Sequence, residues 1–168
     1  MAKILFLGST GFIGSAIFEK IKQDNNIFHI NYTQKHKDLK FKQISFKNIS
    51  KSFNQIKKFK PTIILDFSWR GIPHFNFKNF ILNVKEKHFF YQKISKIKSI
   101  EQIILAGSCM EYKNRYKTCH EDDYTICDNY LNLSKITVMN MIKKIFIETK
   151  VNLIWLRIFY AYGKGQRT

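Results

Sequence analysis

Short apolar runs and amphipathic stretches alternate along this chain. Residues 3–7 form an apolar run that stops at Gly8, and Ile13, Ala16, Ile17 and Ile21 then recur at helical spacing. The pattern predicts strand, tight turn and helix. Residues 26–32 read as a second strand and 40–46 as a third. Between Asn48 and Lys60, Ile49, Phe53 and Ile56 share one helical face, and Pro61 closes that helix because the residue before a proline is pushed out of the helical region. Residues 62–67 are continuously apolar, as in a strand buried on both faces. Phe77, Phe80, Ile81, Val84 and Tyr91 mark a further helix, 102–106 a fifth strand, 129–149 a long helix and 151–159 a sixth strand. Strands alternating with helices predict an α/β fold, a doubly wound parallel sheet covered by helices on both faces.

No repeat, low-complexity tract or linker interrupts residues 1–168, which read as one domain. Most of the seven glycines directly follow a predicted strand. In open α/β sheets, ligands sit at the carboxyl ends of the strands, so this punctuation points at a site. The sharpest case is Gly8-Ser9-Thr10-Gly11-Phe12-Ile13-Gly14, which leaves the first strand and opens the first helix. Free backbone N–H groups and the positive end of the helix dipole make such a turn an anion cradle. Gly8 allows the tight turn, Gly11 lets the backbone approach a pyrophosphate, and Gly14 lets the helix pack closely on the strand. The spacing is G-x-x-G-x-x-G, whereas the dinucleotide fingerprint is G-x-G-x-x-G.

Composition adds one feature. Twenty-nine Lys and Arg against 12 Asp and Glu give a net charge of +17. Only Arg70, Arg115, Arg157 and Arg167 are arginines, and Ile, Asn and Phe are abundant as well, so A/T-rich coding explains the bias. Nucleic-acid binding calls for basic residues on one face or helix. Lys57-Lys58, Lys85-Glu86-Lys87 and Lys143-Lys144 fall on different predicted helices, so a nucleic-acid partner is not expected. No apolar run is long enough to cross a bilayer, and no membrane partner is expected. The apolar N-terminal stretch breaks at Gly8 without a cleavage site, which predicts a cytoplasmic protein. Cys109, Cys119 and Cys127 form no paired spacing, so no disulfide framework is expected. The adjacent residues Cys119 to Asp123 cannot all turn toward one ion, and no metal is expected.

The glycine turn resembles the cofactor loop of extended short-chain dehydrogenases/reductases, the NAD-dependent epimerase/dehydratase family. Leu65-Asp66-Phe67-Ser68-Trp69 resembles the family's fourth strand, and Asn83-Val84 its mid-helix pair. Ala106 to Tyr112 and Leu156 to Gly163 are similar to its fifth and sixth strand segments. The resemblance implies a Rossmann-type sheet of about six strands without the smaller C-terminal substrate domain, since members are usually near twice this length. It also implies NAD or NADP held by Gly8, Thr10, Gly11, Phe12, Ile13, Gly14, Ser68 and Lys135. NAD-binding units end the second strand in Asp or Glu, roughly 20 residues past the loop. Here no carboxylate appears from Asn31 to Lys37, and Thr33 with Lys35 or Lys37 would accept a 2′-phosphate. The expectation leans to NADP.

The family's reaction, as the resemblance implies it, moves a hydride between nicotinamide and a sugar carbon, with a Tyr as proton acceptor in a Y-x-x-x-K pair on one helix face. A tyrosine titrates near pKa ~10, so a nearby lysine is needed to favour the phenolate. Ser108 matches the Ser or Thr that orients the substrate hydroxyl, and Lys135 matches the lysine. Four residues before Lys135 stands Leu131, and the nearest phenol is Tyr130, five residues away. Five steps turn the side chain by roughly 140°. Tyr130 therefore serves only if the helix begins after it or a wider turn absorbs one residue. The expected function is an epimerase or reductase acting on a nucleotide-activated sugar, with Ser108, Tyr130 and Lys135 as its catalytic group. Its expected partners are the nucleotide-sugar substrate and either a second copy in a homodimer or a complementary chain supplying the substrate domain. The alternative is a catalytically silent dinucleotide-binding or partner-binding module.

Overall fold

The computed structural model describes residues 2–23, 26–31, 42–114, 116–163 and 165–166. Its strands are β1 (Ile4–Leu7), β2 (Ile27–Asn31), β3 (Lys42–Ser45), β4 (Ile63–Asp66), β5 (Gln102–Ala106) and β6 (Asn152–Leu156). They form one sheet in the order β3-β2-β1-β4-β5-β6, every neighbouring pair parallel. This is the Rossmann order, whose reversal between β1 and β4 opens a crevice at their carboxyl ends.

The helices are α1 (Phe12–Ile21), α2 (Ile49–Phe59), α3 (Phe77–Ile94) and α4 (Tyr130–Ile145). The end of α2 shows how the sequence terminates it. Lys60 turns into the left-handed region at φ 52°, its N–H bonds back to the Ile56 and Lys57 carbonyls, and Pro61 follows. The predicted 129–149 helix stops at Ile145, where Phe146 N–H closes on Ile142 O, and Thr149 folds its hydroxyl onto Phe146 O. The sixth strand ends at Leu156, beyond which the chain runs along the carboxyl edge, Cys109 N–H bonding Ile158 O.

The two faces of the sheet are unequal. On one, Ile49 and Ile56 of α2, Phe90, Tyr91 and Ile94 of α3, and Val138 and Ile142 of α4 pack on Leu5, Leu7, Ile64, Ile103 and Leu105. On the other, among the described residues, α1 alone packs, through Phe18, Ile17 and Ile21, over Ile4, Phe6, Ile27 and β4. Ile104 and its register partner Ile154 face the same way as that layer but belong to neither cluster, both partly exposed, and Leu156 beside Ala106 is 36% exposed. Among the described residues, helices thus lie on both faces as expected, three on one and one on the other.

This asymmetry sets the cost of truncating a side chain. Ile103→Ala should lower unfolding stability by about 2–5 kcal/mol, as for other fully buried aliphatic residues. Ile154→Thr on the other side should cost under about 1 kcal/mol. Urea denaturation of the two variants measures the difference.

Candidate functional site

Gly8 stands at the end of β1 with φ 79°, and a side chain there would enter the backbone of Phe67, 2.7 Å from its carbonyl carbon. A Cβ on Gly14 would collide with the Gly8 carbonyl, so strand end and helix start touch backbone to backbone. Gly11 is the N-cap of α1 and offers no side-chain cap, and the first turn holds no acidic residue. The leading N–H groups of α1 are thus left to an anion.

The turn rests on a polar footing from β2. Ser9 is fully buried; its hydroxyl donates to Asn31 Oδ1 at 3.2 Å and lies 2.8 Å from His29 Nδ1. Thr10 Oγ1 reaches the same Asn31 oxygen at 3.5 Å. Asn31 occupies the strand end where a carboxylate would be expected, and its Nδ2 is buried with no hydrogen-bond partner among the described residues. The expected 2′-phosphate ligands Thr33 and Lys35 lie outside the described residues.

A cleft of about 810 Å³ runs from this turn across the carboxyl ends of β4 and β5. Its walls carry Thr10, Gly11, Phe12 and Ile13 at one end and Ser108, Met110, Leu131 and Tyr160 at the other, with Trp69 and Lys135 also lining it. The Ser108 hydroxyl oxygen accepts from Met110 N–H, and Glu111 Oε1 accepts from Ser108 N–H at 2.7 Å, a capping box that fixes the serine. Glu111 is itself fully buried, bonded by Trp155 Nε1 at 2.9 Å and paired with Arg157 Nε at 3.5 Å.

Two lysines lie against the ring of Trp69. Lys135 Nζ sits 4.1 Å from the centroid of its ring and Lys87 Nζ 4.9 Å. The Ala106 carbonyl accepts from both Trp69 Nε1 (2.9 Å) and Lys135 Nζ (3.0 Å). Burial, opposed by Glu111 and Asp66 and reinforced by Lys87, lowers the Lys135 pKa from 10.5 to about 7. Lys87 is ion-paired to Asp66 at 2.7 Å, both side chains nearly inaccessible. Tyr91 OH also donates to Asp66, and Ser68 does so through its N–H (3.0 Å) and hydroxyl (2.6 Å). The Ser68 side chain is thereby turned into this network, while the residue still lines the cleft. Arg70 pairs with Glu86 at 2.7 Å.

The structure brings Ser108, Leu131 and Lys135 together and leaves Tyr130 out. Helix α4 is regular from Tyr130 onward, so neither a later start nor a wider turn absorbs the extra residue. Tyr130 instead packs beside Phe77 and Phe80 of α3, with ring centroids at 5.6 and 6.5 Å, and is 47% exposed. Sequence reasoning missed the Asn31–Ser9–His29 footing and the Asp66–Lys87 pair. The lysine four residues after Asn83 on an otherwise inward-facing stretch of helix was the one sign of the latter.

No protein-family model matches the chain, and no curated protein matches it by sequence. Solved structures do match it in shape. The Bordetella bronchiseptica enzyme WbmG in complex with NAD and UDP superposes with a TM-score of 0.75 at 17% identity, over 93% of this chain and 52% of that one. The UDP-glucuronic acid 4-epimerase from Bacillus cereus in complex with NAD gives 0.75 at 17% identity, over 98% and 58%. The dTDP-glucose 4,6-dehydratase from Bacillus anthracis in complex with NAD gives 0.77 at 16% identity, over 99% and 57%. The chain thus has the Rossmann-type fold of these three structures and spans little more than half of their length. Among the described residues, no helix is long and apolar enough to cross a membrane.

Two solution measurements follow from the buried charges. Between about pH 7 and 10.5 Lys135 is neutral when folded and protonated when unfolded. Unfolding then takes up a proton, so stability should rise with pH across that window, and a Lys135→Met variant should lose this part of the slope in denaturation curves. Asp66→Asn leaves the Lys87 ammonium buried without its counter-charge and should cost about 3–5 kcal/mol in the same assay.

Proposed function

We propose that residues 1–168 are an NAD(P)-binding Rossmann domain of the nucleotide-sugar epimerase and reductase type. The observation that carries this reading is the cradle at the start of α1, where a Cβ on Gly14 would strike the Gly8 carbonyl and no acidic side chain enters the first turn. The residues fit the cofactor. Phe12 and Ile13 would hold its pyrophosphate through backbone N–H groups, while Gly8, Thr10, Gly11 and Gly14 shape the turn that presents them, the Gly11 N–H closing on the Gly8 carbonyl at 3.0 Å. Ser68 and Lys135 would flank it further along the cleft. Bound nicotinamide supplies a hydride acceptor or donor. The choice between NAD and NADP falls to the end of β2, where the Asn31 amide carries no negative charge to repel a 2′-phosphate and its N–H has no partner among the described residues. Thr33 and Lys35 remain the proposed phosphate ligands beside it.

For turnover, Ser108 would orient a sugar hydroxyl and Lys135, whose pKa is lowered to about 7, would act beside it. The proton acceptor in this reading is Tyr130, which must leave Phe77 and Phe80 to reach the cleft. Leu131 at the position facing Lys135 favours the second reading, a domain that binds the dinucleotide without hydride transfer. The nucleotide-sugar substrate, the cytoplasmic setting, and a homodimer or a second chain completing the substrate site belong to the first reading.

Calorimetry with NAD⁺ and NADP⁺ tests the binding claim. Heat of binding is expected with at least one form and should fall by more than about tenfold in Gly11→Asp, which sets a carboxylate in the cradle. No heat with either form, from folded protein, overturns it. Incubation with UDP-glucuronic acid, read by chromatography for a new epimer and by absorbance for net reduction of nicotinamide, separates the two readings. Turnover abolished by Tyr130→Phe supports the enzyme; no turnover in the native chain with a gain in Leu131→Tyr supports the silent domain.

A further inference from the structure

Lysines that are scattered in sequence converge in the fold. Because all six strands are parallel, each strand begins, and each helix ends, on the edge opposite the cleft. Helix α1 ends with Lys20 and Lys22, and α2 with Lys57, Lys58 and Lys60, all exposed. Helix α3 ends with Lys93, followed by Lys96 and Lys98; α4 ends with Lys143 and Lys144, followed by Lys150. Direct bonds stitch the strand starts into one continuous border. Lys3 N–H donates to Thr62 Oγ1 (3.1 Å), Glu101 N–H to Thr62 O (2.9 Å) and Asn152 N–H to Glu101 O (2.8 Å). The acidic groups of this border are few among the described residues: Glu19, paired with Lys22 at 2.6 Å, and the exposed Glu101 and Glu148. Glu121, Asp122, Asp123 and Asp128 lie in the loop before α4, toward the cleft. Among the described residues the border of strand starts and helix ends therefore carries a marked excess of lysine.

Lysine at a helix C-terminus complements the dipole of its own helix. That effect acts within one turn and asks for one or two charges per helix, whereas here four helix ends bring their lysines to one border. The apolar side chains of the border select the partner. The arginines of the described residues, Arg70 and Arg157, are both engaged near the cleft, so the cations of the border are lysines. Among the lysines of α4 and its following loop stands Ile147, 67% exposed, and Lys93 lies 5.0 Å over the ring of Phe89, itself 39% exposed. Clustered lysines with isolated apolar side chains are the chemistry of peripheral contact with anionic lipid, to which each lysine near the surface adds.

We propose that the border formed by the strand starts and helix ends docks on an anionic lipid surface. No segment is inserted across the bilayer, and the cleft on the opposite edge stays open to solution. This differs from the expectation from sequence of no membrane partner, and it does not depend on the cofactor reading.

Co-sedimentation with vesicles of about 30% phosphatidylglycerol in phosphatidylcholine tests it. The native chain should partition onto these and not onto pure phosphatidylcholine, and should be released as salt rises from about 0.1 to about 0.5 M. Replacing Lys57, Lys58, Lys143 and Lys144 by Gln should lower partitioning by about tenfold or more. Replacing Lys78, Lys85, Lys113 and Lys117 by Gln removes the same charge elsewhere and should leave partitioning within about twofold. Equal losses in the two variants, no difference between the two vesicle types, or displacement from vesicles by equimolar duplex DNA would each overturn the proposal.

Discussion

The uniform direction of the strands governs this molecule. With all six strands parallel, every crossover must return by a helix, so strand ends and helix starts share one edge while strand starts and helix ends share the other. The first edge gathers free N–H groups, glycines and the switch between β1 and β4, and it carries the cleft. The second gathers carbonyl ends and the lysines that follow them. Neither collection is visible as a cluster in the linear chain.

Between the two edges lies an unusual amount of buried charge. Asp66 accepts from Lys87, Ser68 and Tyr91, and against the Trp69 ring stands Lys135, whose own nearest acceptors are main-chain carbonyls. A buried pair seldom adds net stability over apolar packing, but removing one member of it is expensive. Its effect here is geometric: it fixes Ser68 and, through the ammonium beside its ring, Trp69, and so fixes the floor of the cleft. At the far wall the Glu111 carboxylate does the same for Ser108.

The strand and helix alternation was legible because each element had a single period over enough residues, and the glycine turn because only glycine fits where backbones meet. The parallel, doubly wound class of the sheet followed from the same reading, while its strand order came from the structure. What could not be read was the partial exposure of Ile104 and Ile154, since it depends on which described helices pack over that face rather than on the strands themselves. Tyr130 was legible as a difficulty. The regular start of α4 resolves it by turning the phenol toward α3, where Phe77 and Phe80 receive it. The lysines were judged dispersed because they sit on different helices, and it is the shared polarity of those helices that brings them together.

The thin layer beneath α1 has one more consequence. That helix is held by a cluster far smaller than the one that joins α3 and α4 to the sheet, yet it carries the cradle. Local opening of α1 therefore takes less free energy than global unfolding, and it dismantles the anion site. Occupancy and local order are thermodynamically linked, so an anion held at this turn, as proposed, would tighten the hydrophobic layer beneath it.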